Sequence, residues 1–579
     1  MAVFPQEIID LIVYQCTDRE TLRNLLTVSR ACQEQVERRL WPTSVRILDD
    51  DGVNVLRRYT GHRLRILRRV TIEQDWPVLD DWELSCRETA DEVRENNEVF
   101  TRRIAAIFTA IKTLEMSLND GSGAQDMNVS LTIMTPRQLV EDAPCDHRCY
   151  HSWRLHLLQP ETIPRLESIK QLVVGLDERS NNDSRFWSFS DNRYRHALDL
   201  RVGLDLLDKL PHCHSLQSID IHDSLPYPYE ARQLKHFARP FEGPRRDSRH
   251  GFARAFRERV SSSPNLSPGA PLYPALKAVT LYLGRPNKHV DQDERLPNLV
   301  TPNPDIALTT DDVPASRLTV SVSHDDPLSS SLRLLSQNLV TSEVRGCIDK
   351  SIFWPSTTPL TSLDDTQTPF WPNLTHLSVE FDPAHPRGTW FFQAPPPFSS
   401  SSASDNEQEG FTITQEHYPS FSRSENDAYW DDVFDDLGGR YENVAVDMFR
   451  VTPVDAAVDE LLEAFALALE RMPALKEAEL YTLLKWWPSQ NAMETYFEGD
   501  RVPLKAKNEE LCGLRERHGV RYCHWWGVKY NGVDSDEGKR PRLEWRVGDW
   551  RPCQRVLDMI HRAVAGSEGG DLVEEWLEA

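Results

Sequence analysis

The chain has 579 residues, 66 basic against 90 acidic side chains, a formal net charge of −24 and 39% hydrophobic residues. That length can hold about three or four average domains with buried cores. The acidic balance argues against nucleic acid as the main ligand, because phosphate neutralisation dominates such binding. No apolar run reaches the ~18 residues a membrane span needs. The N-terminus has no basic flank or small-residue cleavage site, and Glu7 and Asp10 interrupt what would be its apolar region. Ten cysteines are scattered from Cys16 to Cys553 without paired spacing, as expected of reduced thiols. A cytoplasmic or nuclear protein is the expectation.

The first 40 or so residues predict three short helices. Pro5 stands where a helix can begin, and Ile8, Ile9, Leu11 and Ile12 follow at helical spacing. Asp18 is placed to cap a second helix carrying Leu22, Leu25, Leu26 and Val28. Ser29 is placed to cap a third, which Pro42 ends. A unit this small is marginal alone. Its helices also carry more apolar residues than one internal seam requires, so the surplus is expected to pack on the next domain or on a partner.

The ordered set "FPQEIIDLIV…LRNLLTVSRACQEQVERRLW" resembles an F-box. It has a hydrophobic-Pro-x-Glu-Ile start, a Leu-rich second helix, a Val-Ser-Arg junction and a Leu-Trp end. Phe4 stands where Leu is more usual, and the aromatic residue often found soon after Val-Ser-Arg is absent. F-box units dock on the small adaptor subunit of SCF-type cullin–RING ubiquitin ligases. The resemblance therefore implies such a contact at Phe4, Pro5, Ile8, Ile9, Ile12, Leu22, Leu25, Val28 and Ser29. The alternative is a helical cap on the domain behind it.

Behind this unit, three stretches share an L-x-x-L-x-L skeleton: "YPALKAVTLYL" (273–283), "WPNLTHLSVEF" (371–381) and "MPALKEAELYTL" (472–483). Looser copies occur at Leu67/Val70/Ile72, Ile111/Leu114/Met116, Ile169/Leu172/Val174 and Leu216/Ile219/Ile221. The last part alternates with period two, as a half-buried strand does. The intervening segments read as helices, among them "DEVRENNEVFTRRIAAIFTAI", "FARAFRERV", "SLRLLSQNLVTSEVRGCI" and "TPVDAAVDELLEAFALALERM". In the last, Thr452 is placed as cap and Pro453 at the first position. The pattern resembles a leucine-rich repeat, although its spacing is irregular and longer than the ~20–29 residues of regular repeats. An α/β domain that merely reuses the strand motif is the other reading. The chain as a whole resembles uncharacterised F-box proteins of filamentous fungi.

Toward the end, "GVRYCHWWGVKYN" and "RPRLEWRVGDWRP" predict a β-hairpin, followed by a closing helix "CQRVLDMIHRAV". Trp525, Trp526, Trp545 and Trp550 fit a cap on the last strand, with an aromatic ligand platform as the alternative. Residues 285–330 and 394–428 are rich in Pro, Ser and Asp and are expected to be disordered. Ser399 to Ser404 lie beside acids in a context that acidophilic kinases favour. The stretch Arg239–Arg259 carries seven Arg against three acids and reads as a solvated face, or as a patch for an acidic partner or an acidic loop of the same chain.

Cys145, His147, Cys149 and His151 alternate, which on a strand sets their ends too far apart to close one tetrahedron; a partly buried loop is expected, with a turn that lets two or three of them bind a metal as the alternative. No nucleophile elbow, zinc-protease, Walker or dinucleotide motif is present. The expectation is an α/β (α+β) protein of three parts: an F-box-like unit at 1–47, an irregular repeat domain at 48–527, and a hairpin-and-helix cap at 528–579. It would have no catalytic residues, cofactor or metal. It would join a ligase adaptor, and through it a cullin, to an unknown substrate protein. The alternatives are a repeat-type interaction scaffold and a cryptic ligand-binding protein.

Overall fold

A computed structural model describes residues 5–40, 42–73, 75–76, 88–117, 128–138, 153–175, 196–219, 231–262, 272–283, 295–302, 325–356, 368–393, 410–418, 450–484, 524–532, 540–565 and 572–577. These form a mixed α/β protein built on one large, mostly parallel sheet. Nine parallel strands follow in chain order: β1 (Ser44–Ile47), β2 (Arg69–Ile72), β4 (Val129–Ile133), β7 (Ile169–Gly175), β9 (Ser215–Ile219), β10 (Ala278–Tyr282), β11 (Thr341–Gly346), β12 (His376–Phe381) and β15 (Glu477–Leu484). Short two-residue strands at 75–76 (β3), 137–138 (β5), 154–155 (β6), 197–198 (β8), 392–393 (β13) and 452–453 (β14) pair outside this sheet. β16 (His524–Asn531) then runs antiparallel to β15, β17 (Arg542–Arg546) antiparallel to β16, and β18 (Val573–Trp576) parallel to β17. The expected hairpin thus begins at His524 and continues the sheet.

The strand order never reverses. Parallel crossovers have one hand, so a monotonic order places the connecting helices on the same face. The register agrees with this. Val45, Val70, Leu131, Leu172, Leu216, Val279, Leu377 and Ala478 align across the strands as one buried column. Ile47, Ile72, Ile133, Val174, Leu281, Val344, Val379, Leu480, Val528 and Trp545 supply the next. Both columns join α4 (Asp50–Leu56), α5 (Ala90–Ser117), α6 (Arg201–Leu207), α7 (Ala231–Ser261), α8 (Pro327–Ser336), α9 (Asp455–Leu469) and α10 (Gln554–Ala565) in a single core. The strands approach closely where Gly175 ends β7. Its φ is +99°, and a Cβ there would lie 2.0 Å from the Ile219 carbonyl oxygen, so glycine is required.

Several expectations change. Ile111, Leu114 and Met116 are not a strand: they lie in the last turns of α5. Ile111 and Leu114 continue the helical series Phe100, Ile104, Ile107 and Phe108, and a Thr89/Glu92 capping box starts that helix. The strand is β4, further on. In "SLRLLSQNLVTSEVRGCI" the helix ends at Ser336, and 341–346 is β11, whose alternating burial the helical spacing of the leucines obscured. Thr452 and Pro453 do not cap α9. They form β14 and pair with Phe392 and Gln393, while Val454 stands at the N-cap without a side-chain bond.

The Arg239–Arg259 stretch is only in part a solvated face: Arg254, Arg257 and Glu258 are exposed, but α7 turns other charges inward. Arg245, Arg246 and Arg249 are buried. Arg249 bonds Asp326 at 2.7 Å, and Arg259 bonds Asp205 and Asp208 at 2.5 and 2.7 Å. The acids come from other elements of the same chain.

Parts of the segments expected to be disordered are ordered. Residues 295–302 and 410–418, together with 382–390, build a platform beyond the C-terminal ends of β10–β12. Leu299 N donates to Pro386 O, Phe411 N to Leu296 O, Asn298 N to Phe411 O, and Gly410 N to Arg387 O, at 2.8–2.9 Å. Two small cores hold it, Leu296/Ala384/Trp390 and Leu299/Cys347/Ile413, both separate from the main one. Cys145–His151, Ser399–Ser404 and most of the two Pro/Ser/Asp-rich segments lie outside the described residues. Among the described residues no helix is long and apolar enough to cross a membrane.

Candidate functional site

Two surfaces are candidates for contact with a partner. The first is the N-terminal unit: α1 (Gln6–Gln15), α2 (Arg19–Leu25) and α3 (Arg30–Leu40). Local chemistry sets its helices. Pro5 is the N-cap of α1 rather than its first residue. The Asp18 carboxylate accepts the Thr21 N–H at 2.7 Å, which lowers its pKa. Ser29 Oγ accepts the Cys32 N–H at 3.1 Å, as its spacing suggested. Arg39 reaches back to the carbonyls of Val13, Tyr14 and Cys16 at the end of α1.

Ile9, Val13, Leu22 and Val36 form a core of this unit alone, distinct from the main core. The unit is tied on by polar bonds. Arg63 donates two hydrogen bonds to Glu37 at 2.8–2.9 Å, and Tyr59 Oη donates to Pro42 O at 2.8 Å. The Arg63 guanidinium is held above its usual pKa chiefly by its hydrogen bond to Glu37.

The candidate contact residues divide accordingly. Ile9 and Leu22 face inward and hold the unit together rather than meeting a partner. Leu25 is half-buried against that core. Pro5 and Ser29 are exposed. Ile8 and Ile12 are each 41% exposed and Val28 66%. Leu11 and Tyr14, which the motif did not single out, are exposed on the same helix. Phe4 lies outside the described residues.

The second surface is the sheet face opposite the helices. Register aligns Thr280, Glu343, Ser378, Glu479, Lys529 and Glu544 in one row from β10 to β17. Glu343 accepts from Thr280 Oγ1 at 3.3 Å and Tyr282 Oη at 2.6 Å, and Ser378 Oγ donates to Glu479 at 2.6 Å. Lys529 lies 2.5 Å from Glu477 and 3.8 Å from Glu479. Burial opposes its ammonium, but Glu477, Glu479 and Glu544 outweigh that and raise its pKa.

Beside this row, Trp525 stacks on Tyr481 at 5.3 Å with Arg546 above it at 4.9 Å. The other tryptophans serve elsewhere. Trp526 and Trp545 are buried in the core, and Trp550 donates to Asp455 from its flank. This mixture of carboxylates, cations and aromatic faces suits a protein surface better than a deep small-molecule pocket. The sequence carried a signal for it in the polar residues between the apolar positions of each motif, but only register brings them into one row. Among the described residues, no group of three or more His, Cys, Asp and Glu side chains is arranged to hold a metal. No protein-family model matches the chain, and no curated protein matches it.

Proposed function

We propose that this chain is the substrate-recognition subunit of an SCF-type cullin–RING ubiquitin ligase. Its F-box-like unit would hold the small adaptor subunit, and through it a cullin. Its leucine-rich-repeat-like sheet would hold a substrate protein. The observation that carries this reading is the N-terminal unit itself: three helices with their own small core and a row of exposed apolar side chains, Ile8, Leu11, Ile12 and Val28. Exposed apolar groups clustered on so small a unit are characteristic of an interaction surface. The unreversed strand order and the repeated L-x-x-L-x-L skeleton support the repeat-like part of the reading. Such a subunit does no covalent chemistry. It supplies proximity, converting a bimolecular encounter into an effectively intramolecular one.

The test is binding of the purified adaptor subunit. Wild-type protein retains it, and a variant carrying Ile8→Asp and Val28→Asp, both on the exposed side, does not. The inward-facing Ile9 and Leu22 are untouched, so far-UV circular dichroism and the melting curve stay close to wild type. Failure of the wild-type protein to bind the adaptor overturns the ligase reading and leaves a repeat-type interaction scaffold.

A further inference from the structure

We infer that the platform beyond the ends of β10–β12 is a pH-sensitive latch, closed on α7 and β11 while His250 and His385 are neutral and opened by mild acid ahead of the rest of the fold. Two features make it separable. Its cores, Leu296/Ala384/Trp390 and Leu299/Cys347/Ile413, are detached from the main one. Its segments also bond one another through Leu299–Pro386, Phe411–Leu296 and Gly410–Arg387, so they move as a unit.

The histidines sit where this unit meets the body. His250 on α7 contacts the Leu299 carbonyl at 3.0 Å, so its Nε2 is the donor. His385 Nδ1 accepts the Arg387 N–H at 3.1 Å, closing the turn that leads into the platform, and its ring packs on Phe391 at 5.3 Å. A proton on His385 Nδ1 would set two N–H groups against each other. The surroundings oppose both charges. Burial is the largest cause, holding His250 down to about 4 and His385 to about 3. The charged groups facing His250 are Arg246 and Arg249 on its own helix and Asp326 at the start of α8. Those facing His385 are Arg387, Arg249, Lys350 and Asp326. Asp326, the carboxylate among these groups, is already engaged by Arg249. His417 belongs to the same unit, its Nδ1 accepting the Thr414 N–H at 2.9 Å.

The sign follows from linkage. Once open, each imidazole regains an ordinary pKa near 6.5 and takes up a proton that the closed form refuses. Opening therefore becomes easier as pH falls below that value, by about 25-fold per histidine between pH 7 and pH 5.

Two buried thiols report it. Cys347 lies beneath the platform, its thiol 3.5 Å from the Ala384 carbonyl, while Cys213 lies in the main core. Full-length protein is labelled with dithiodipyridine, which reacts with thiols in mild acid, and each site is quantified by peptide mass. The Cys347-to-Cys213 rate ratio is expected to rise by about 600-fold from pH 7 to pH 5, about 25-fold from each histidine. His385→Asn keeps an acceptor for the Arg387 N–H, and His250→Gln keeps a donor to the Leu299 carbonyl, yet neither titrates. Each substitution should remove about 25-fold of the rise. A wild-type ratio that is the same at both pH values overturns the latch, as does a rise of equal size in the doubly substituted protein.

Discussion

Replacing Arg249 by Met tests how the inserts are anchored. The guanidinium is buried and bonds Asp326, whose carboxylate is also buried and caps α8 through the Ser329 N–H at 2.8 Å. Asp349 lies beside it and accepts the Asp326 N–H at 3.0 Å. Burial works against the Asp326 charge, but Arg249 and Ser329 outweigh it and lower its pKa. Burial and the Asp326 charge push Asp349 up to about 6. Met fills much the same volume and leaves two buried carboxylates facing each other without their cation. Breaking a buried pair this way costs about 3–5 kcal/mol at pH 7. The loss has a definite pH dependence. In the variant, a raised carboxyl pKa makes the folded state hold a proton that the unfolded chain, with its ordinary pKa near 3.8, has released. Folded-state stability therefore recovers on acidification, by up to about 1.4 kcal/mol per pH unit. Urea midpoints at pH 7 and pH 5 measure this, with exposed Arg254→Met on the same helix as the control. The reasoning fails if Arg249→Met is no less stable than Arg254→Met at pH 7, or if their gap does not shrink at pH 5.

Two further outcomes are expected. Ser342 stands in the inward column between Val279 and Leu377 and lines a small cavity with Leu332, Trp371 and Met472. Ser342→Val should fill it and raise the urea midpoint, stabilising by about 1 kcal/mol. At the C-terminal end, α10 buries Ile560 fully in the main core and meets α9 through the exposed pairs Arg555–Glu463 and Arg562–Glu470 at 3.2 and 2.7 Å. Ile560→Ala should cost about 3 kcal/mol, and Arg555→Ala with Arg562→Ala together under about 1 kcal/mol, read from hydrogen-exchange protection of α10.

Much of the fold was legible because short-range rules decide it. The caps Asp18 and Ser29 form the bonds their spacing suggested. Strands arise at 69–72, 169–175, 215–219, 278–282, 376–381 and 477–484, where apolar residues alternate. The misread stretches are those where two periods overlap. Ile111 and Leu114 fit a strand motif and a helix face equally well, and only the continuity of α5 beneath them chose the helix. Thr452-Pro453 has the chemistry of a helix start, but a distant strand at 392–393 claims it.

Of the candidate contact surface, the sequence identified the apolar residues of the first three helices. It did not tell Ile9 and Leu22, which hold the unit together, from Ile8, Ile12 and Val28, which face solvent. That choice depends on how the three helices cross. What the sequence determined by itself, then, is much of the alternation of helix and strand, the caps at Asp18 and Ser29, and an apolar N-terminal unit. Each depends on residues within a few positions of one another. Only the tertiary structure decided the inward turn of the α7 arginines, the ordered platform and the row from Thr280 to Glu544. Each of these joins residues far apart in the chain, and their meeting depends on the register of the strands between them and on acids such as Asp326 that lie on other elements.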